Sequence, residues 1–309
     1  SDLILLNKNY FKIMSNEAEL AATSIDHSLP VGKITEQDDV IFPQISQRRL
    51  AWEDVVDGCK KWRIWLMLAY QDIKLRYRRS ILGPFWITLS MAITVYSMGF
   101  LYAHLFHTEL SKYFPFLVAS MLAWSLISTI ILEMTDGFTL SEAIIKQIKL
   151  PYSLYIHRIA TRNIIIFFHN ILVIIPIFII FYDSVKVNFY TLLLVPGLAL
   201  TYINAIIYGI ILALVCARYR DMAQIIKSLV QVIFFLTPVM WDMNILPESK
   251  RIFVKINPFY SFIELVRAPL LGKAPALFNL GSVFLVTVIG ILICLWMFVP
   301  YRSRIVYWL

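Results

Sequence analysis

The sequence predicts an all-α integral membrane protein, and three observations carry that reading. Of its 309 residues, 59% are hydrophobic, against about 45–50% in an ordinary soluble chain. Six windows approach the roughly 20 residues needed to cross a hydrocarbon core of about 30 Å. Cations stand beside those windows on one side, as the positive-inside bias requires. The expected architecture is six transmembrane helices with amino and carboxyl termini both cytoplasmic. An amphipathic interfacial helix precedes the first span, and two short re-entrant or interfacial helices precede the sixth.

Residues 1–57 are expected to form a polar, largely irregular amino-terminal arm. From 15 to 57 it is rich in acid, including Glu17, Glu36, Asp38, Glu53, Asp54 and Asp57, and is broken by Pro30-Val31-Gly32 and Pro43. Asp2–Leu6 is too short, and lacks the cationic front, for a cleavable signal peptide. Met14-Ser15-Asn16 is the expected natural start.

Residues 58–80 reverse the charge. Lys60, Lys61, Arg63, Lys74, Arg76, Arg78 and Arg79 face only Asp72, and Trp62, Leu66, Ala69, Ile73 and Tyr77 recur at helical spacing. The apolar core is too short to span. A helix in the cytoplasmic interface is expected, with the aromatics at headgroup depth; a solvated juxtamembrane helix is the alternative.

A transmembrane domain over 81–309 follows. Its first span, about 84–106, opens with Pro84 at the helix start, where a missing N–H is harmless. The others are placed at about 113–132, 163–182, 190–217, 222–241 and 278–299, with Lys227 close enough to the inner end of the fifth to snorkel. This order leaves the cations before the first span inside. Lys146, Lys149, Arg158, Arg162, Arg218, Arg220, Arg302 and Arg304 join them, and the first and third links, which lie outside, hold only Lys112 and Lys186. The external segment 242–275 is cationic yet apolar in patches. A seventh span there would bury Glu264 and Arg267 in lipid, so two short helices broken at Asn257-Pro258 and Ala268-Pro269 are expected.

The net charge of +8 is accounted for by the positive-inside bias, with anionic membrane lipids as counter-charge and no nucleic acid partner. No phosphate-binding loop G-x-x-x-x-G-K-[ST] exists, nor H-E-x-x-H, G-x-S-x-G or a D-x-D pair. No catalytic residue, metal site or cofactor is therefore assigned to the chain itself. His104 and His107 read as interfacial histidines, and Cys59, Cys216 and Cys294 as packing residues. Mid-membrane charge of the kind an ion-coupled carrier needs is missing from the predicted spans. Any energy for transport must come from a partner.

Two polar stripes are candidates for a substrate path: Ser90, Thr94 and Ser97, with His104, on the first span, and Gln224, Ser228 and Gln231 on the fifth, continuing toward Phe235. Two roles fit them, interhelical hydrogen bonding and a hydrated passage. Tyr96, Phe235 and Trp241 join the candidates because aromatic faces suit sugar rings, although lipid-facing belts use the same residues.

The run Asp72-Ile73-Lys74-Leu75-Arg76-Tyr77-Arg78-Arg79-Ser80-Ile81-Leu82-Gly83-Pro84-Phe85-Trp86 resembles the start of the first membrane helix in ABC-2 type permeases that export polysaccharide, O-antigen or capsule. The resemblance continues through Ile144-Ile145-Lys146 and Leu150-Pro151, Arg218–Met222, Leu236–Met240, Leu246-Pro247 and Asn257–Gly272. It implies a homodimer in the bacterial inner membrane, carrying two copies of a separate ATPase that holds ATP and Mg and moving a lipid-linked polysaccharide. It implies ATPase contacts at Asp72, Lys74, Arg76, Arg78, Arg79, Ile144, Ile145, Lys146, Lys149 and Pro151. An outer gate would include Asn257, Pro258, Glu264 and Arg267. Export of teichoic acid, a drug or another amphiphile fits the same pattern, and an ATPase-independent lipid carrier fits it less well.

Overall fold

The computed structural model describes residues 46–78, 80, 82–83, 85–181 and 188–309, and its regular structure is helical throughout. The expectations for the arm up to residue 45, for Arg79, Ile81 and Pro84, and for 182–187 lie outside the described residues.

Helix α1 (Gln47–Lys60) occupies ground expected to be irregular. Ala51, Asp54 and Gly58 are buried, and α1 packs on a later helix, α6 (Tyr152–Asn170). A Cβ on Gly58 would stand 2.1 Å from the Ser153 hydroxyl, so only glycine permits this approach. After a break at Lys61, α2 (Trp62–Arg76) buries Ala69 and Ile73 against α6 and leaves Trp62, Met67 and Tyr70 exposed. Of the interfacial helix expected at 58–80, Trp62–Arg76 forms α2, and residues 58–60 belong to the end of α1.

Among the described residues, five helices are long and apolar enough to cross a bilayer: Phe85–Leu105, Leu110–Met134, Tyr152–Ile180, Phe189–Arg218 and Leu277–Trp308. Within them lie α3 (Phe85–Leu105), α4 (Leu110–Met134), α6 followed by α7 (Ile174–Ile180), α8 (Leu194–Arg218) and α12 (Leu277–Tyr301). The expected fifth span is α9 (Asp221–Leu236), 16 residues and so about 24 Å long at 1.5 Å per residue. It stops five residues early because Pro238 forces Thr237 into extended backbone.

The third span starts at Tyr152 and not at 163, so Arg158 and Arg162 lie within the helix and not in a link. Charges at that depth persist because each is paired, as described below. The same helix loosens into a 3-10 turn at Ile171–Val173. Pro176 has no N–H for the Leu172 carbonyl, and α3 supplies donors beside this turn. Tyr96 Oη donates to the Val173 carbonyl at 2.7 Å and Thr88 Oγ1 to that of His169 at 3.1 Å.

The core centres on α4, which touches α3, α6, α8 and α9. The segment 242–275 carries two short helices, α10 (Arg251–Ile256) and α11 (Pro258–Leu270), parted at Asn257 as expected. Pro269 sits within the last turn of α11, and the chain turns away only at Gly272, where φ is +69°. Helix α11 packs on α4, α8 and α12. Between α4 and α6 lies the six-residue α5 (Glu142–Gln147), and after α12 comes α13 (Ile305–Trp308), which touches α5 and α8.

Candidate functional site

Spacing sets up the inner end of the bundle. Asp72 and Arg76 lie one turn apart on α2, as do Arg158 and Arg162 on α6, so each pair shares a face. Arg158 Nε donates to Asp72 Oδ2 at 2.8 Å and Arg162 Nη1 to the same oxygen at 2.7 Å. Arg162 Nη2 reaches Glu133 Oε2 at 2.7 Å, and Arg76 Nη2 reaches Glu133 Oε1 at 2.9 Å. Asn163 Nδ2 also donates to Glu133. Two carboxylates and three guanidiniums therefore tie α2, α4 and α6 together. Burial works against the Arg76 charge, but its bond to Glu133 outweighs that and holds the guanidinium above its ordinary pKa.

A second lock lies beside it. Asp54, 3% exposed, accepts from the backbone N–H groups of Tyr152 and Ser153 at 3.0 Å each. Arg302 Nε donates to the same carboxylate at 2.9 Å. A carboxylate at a helix start satisfies orphan donors and favours the dipole, so Asp54 caps α6 from α1 and joins it to the carboxyl-terminal end.

Among the expected ATPase contacts, Asp72 is thus engaged inside the protein, Arg76 is half-exposed and paired, and Lys74 and Arg78 are exposed. Arg79 is outside the described residues. On and after α5, Ile145 and Pro151 are buried and Ile144 is half-buried. Lys146, paired with Glu142 at 2.6 Å, and Lys149 are exposed.

The two polar stripes point away from this chain's own core. Ser90, Thr94 and Ser97 are exposed on α3, and Gln224, Ser228, Gln231 and Phe235 on α9. Thr94 and Ser228 donate only back to carbonyls one turn earlier, at 2.9 and 3.2 Å. Tyr96 is off that face, held by its bond to Val173, and Trp241 is half-buried past the end of α9.

At the other end, Asn257 caps α11 through Phe259 N at 3.0 Å, with Pro258 in the first turn, and its amide reaches Thr237 Oγ1 at 2.9 Å. Arg267, 4% exposed, donates to Ser120 Oγ at 3.0 Å and to the Pro238 carbonyl at 2.8 Å. It pairs with Glu264 and lies over the Phe116 ring at 4.6 Å. These four residues fasten α11 to α4 and to the turn that ends α9.

Sequence reasoning missed Glu133, Arg158, Arg162, Asn163, Asp54 and Arg302. The one available signal was the i, i+4 spacing of Arg158 and Arg162 matched by Asp72 and Arg76.

A family model described as ABC-2 type transporter matches residues 63–271. The chain is similar to an O-antigen export system permease protein RfbA of Klebsiella pneumoniae, 22% identical over 202 residues, covering 64% of this chain and 76% of that protein. It is likewise similar to a protein of the same description from Myxococcus xanthus, 20% identical over 205 residues, covering 66% and 78%.

Proposed function

The chain belongs to the ABC-2 type transporter family, and on that premise we propose that it is the permease subunit of an exporter moving a lipid-linked, O-antigen- or capsule-like polysaccharide across the bacterial inner membrane. The O-antigen export permeases among its relatives support that cargo class. Two copies of the chain form the conduit, and two copies of a separate ATPase bind ATP and Mg and drive it. Helix α9 and the turn after it complete a sixth crossing, which puts both termini in the cytoplasm.

The observation that carries this reading is the pair of polar faces on α3 and α9. Hydroxyls and amides gain nothing against lipid tails, and the core of this chain does not take them up. A second copy facing them, or a hydrated passage between copies, satisfies them. Lys74, Arg78, Lys146 and Lys149, exposed on or beside α2 and α5, form the inner surface that an ATPase grips.

Reconstitution tests it. In vesicles, the chain with its ATPase moves lipid-linked glycan when ATP is added, and the chain alone moves none. Lys146→Glu leaves insertion and ATP hydrolysis intact but uncouples hydrolysis from export. Glycan transfer by the isolated chain, or equal export by the Lys146→Glu variant, overturns the assignment.

A further inference from the structure

A cavity of about 360 Å³ opens inside the helical body, away from the polar stripes. Its walls come from α4 (Ile127, Ile130), α8 (Ala205, Tyr208), α9 (Ile226, Leu229, Val230), α11 (Phe259, Phe262) and Val286 of α12. Helix α9 packs on α4 and α8, whereas α12 packs on α8 and α11. The slot therefore lies over α8 between α9 and α12, with Leu229, 52% exposed, at its mouth. Along α8 it runs from Thr201 to Leu212, roughly 16 Å at the helical rise. That is about half of a 30 Å hydrocarbon core, the depth of one leaflet.

The few polar groups in the walls are already used. Asn204 Nδ2 donates to the Leu200 carbonyl and to Thr287 Oγ1, both at 2.9 Å. Tyr208 Oη donates to the Val286 carbonyl at 2.9 Å, and Thr201 Oγ1 to that of Gly197 at 2.9 Å. Water needs two to four polar partners, and a sugar loses its hydrogen bonds without compensation on such a surface. A hydrocarbon chain loses nothing and restores dispersion contacts along the walls. Bilayer acyl chains are the hydrocarbon at hand.

We propose that this slot holds one acyl chain of a bilayer phospholipid, wedged between α9 and α8. Occupancy would brace the loosely held α9, of which only Val230 is buried. It does not depend on what the protein exports.

The test uses the full chain with its ATPase, in phosphatidylethanolamine–phosphatidylglycerol vesicles containing a phospholipid with a diazirine midway along one acyl chain. After irradiation, adducts are expected on the slot residues Ile226, Leu229 and Tyr208, and also on Leu292 and Trp296, exposed on α12. Ala205→Phe fills the slot and is expected to lower slot adducts about tenfold, or about 1.4 kcal/mol of relative affinity, with those on Trp296 unchanged. Val286→Phe, at the half-buried rim, gives the same reading should Ala205→Phe not fold. Labelled Trp296 with unlabelled slot residues overturns the proposal, as do slot adducts that persist in a folded filled variant. Preferential slot labelling by a polyprenyl phosphate bearing the same diazirine overturns it in favour of the cargo's own anchor. Glycan export is scored separately, so failure of the transport reading is distinguishable.

Discussion

At the inner end of the bundle, Asp72, Glu133, Arg76, Arg158 and Arg162 pair their charges across three helices. Along α3 and α9, Ser90, Thr94, Ser97, Gln224, Ser228 and Gln231 face out of the fold. Both sets are polar residues in an apolar chain, yet the first is closed and the second open. A closed set positions helices, because every charge has a partner and removing one strands the rest. An open set has its use in something that is not this chain. If the contrast is right, disturbing the first costs stability, and disturbing the second costs only transport.

The largest effect belongs to Arg162, which alone bridges both carboxylates of the lattice. Arg162→Ala leaves Asp72 and Glu133 under-neutralised in a buried setting, and a loss of about 3–5 kcal/mol is expected. A sharply lowered thermal midpoint of the purified protein checks it; an unchanged midpoint breaks the comparison at its strongest point. Arg267→Leu comes next, because it strands Glu264 and frees Ser120 and the Pro238 carbonyl. It should cost about 2–5 kcal/mol, with much of that recovered by adding Glu264→Gln.

Asp54→Ala follows, with about 1–2 kcal/mol expected from the lost cap of α6. Asp54→Asn should retain part of it, since an amide oxygen still accepts from the backbone while the pairing with Arg302 is lost. Urea or thermal midpoints of the three proteins should rank native, Asn, Ala. An Asn variant no better than Ala would mean that charge, and not capping, carries the site.

The division between closed and open sets also decides what the sequence disclosed. Long apolar runs mark the helices that follow residue 84, because in a bilayer the length and apolarity of a segment suffice. The stripes on α3 and α9 were readable too, since i, i+4 spacing is local. The closed lattice was not, because Asp72 meets Arg158 and Arg162 across 86 and 90 residues. Without those partners, Arg158 and Arg162 read as inner-link cations, and the start of α6 was placed eleven residues late. Asp54 was hidden the same way: alone it is one acid in an acidic arm, and only the amide groups of Tyr152 and Ser153 give it a role. The end of α9 turned on Pro238, whose effect on Thr237 was outweighed in the reading by the apolar run around it.

The smallest expected stability effect is the sharpest test of the open set. Replacing Ser90, Thr94 and Ser97 together by Ala, or Gln224 and Gln231 by Leu, should shift the midpoint by no more than about 0.5 kcal/mol per site, the range of surface substitutions away from special features. Alanine is the better helix former and leucine is at home in lipid, so neither change penalises the single chain. Export by the complex with its ATPase should nonetheless fall, because the hydroxyls and amides that would face a second copy or a hydrated cargo are gone. The two stripes must also act together: if they border one passage, the combined variant should lose less than the product of the separate losses. Unimpaired export would return both stripes to ordinary lipid-facing surface. A large loss of stability would show that they are closed after all, by contacts made outside the single chain.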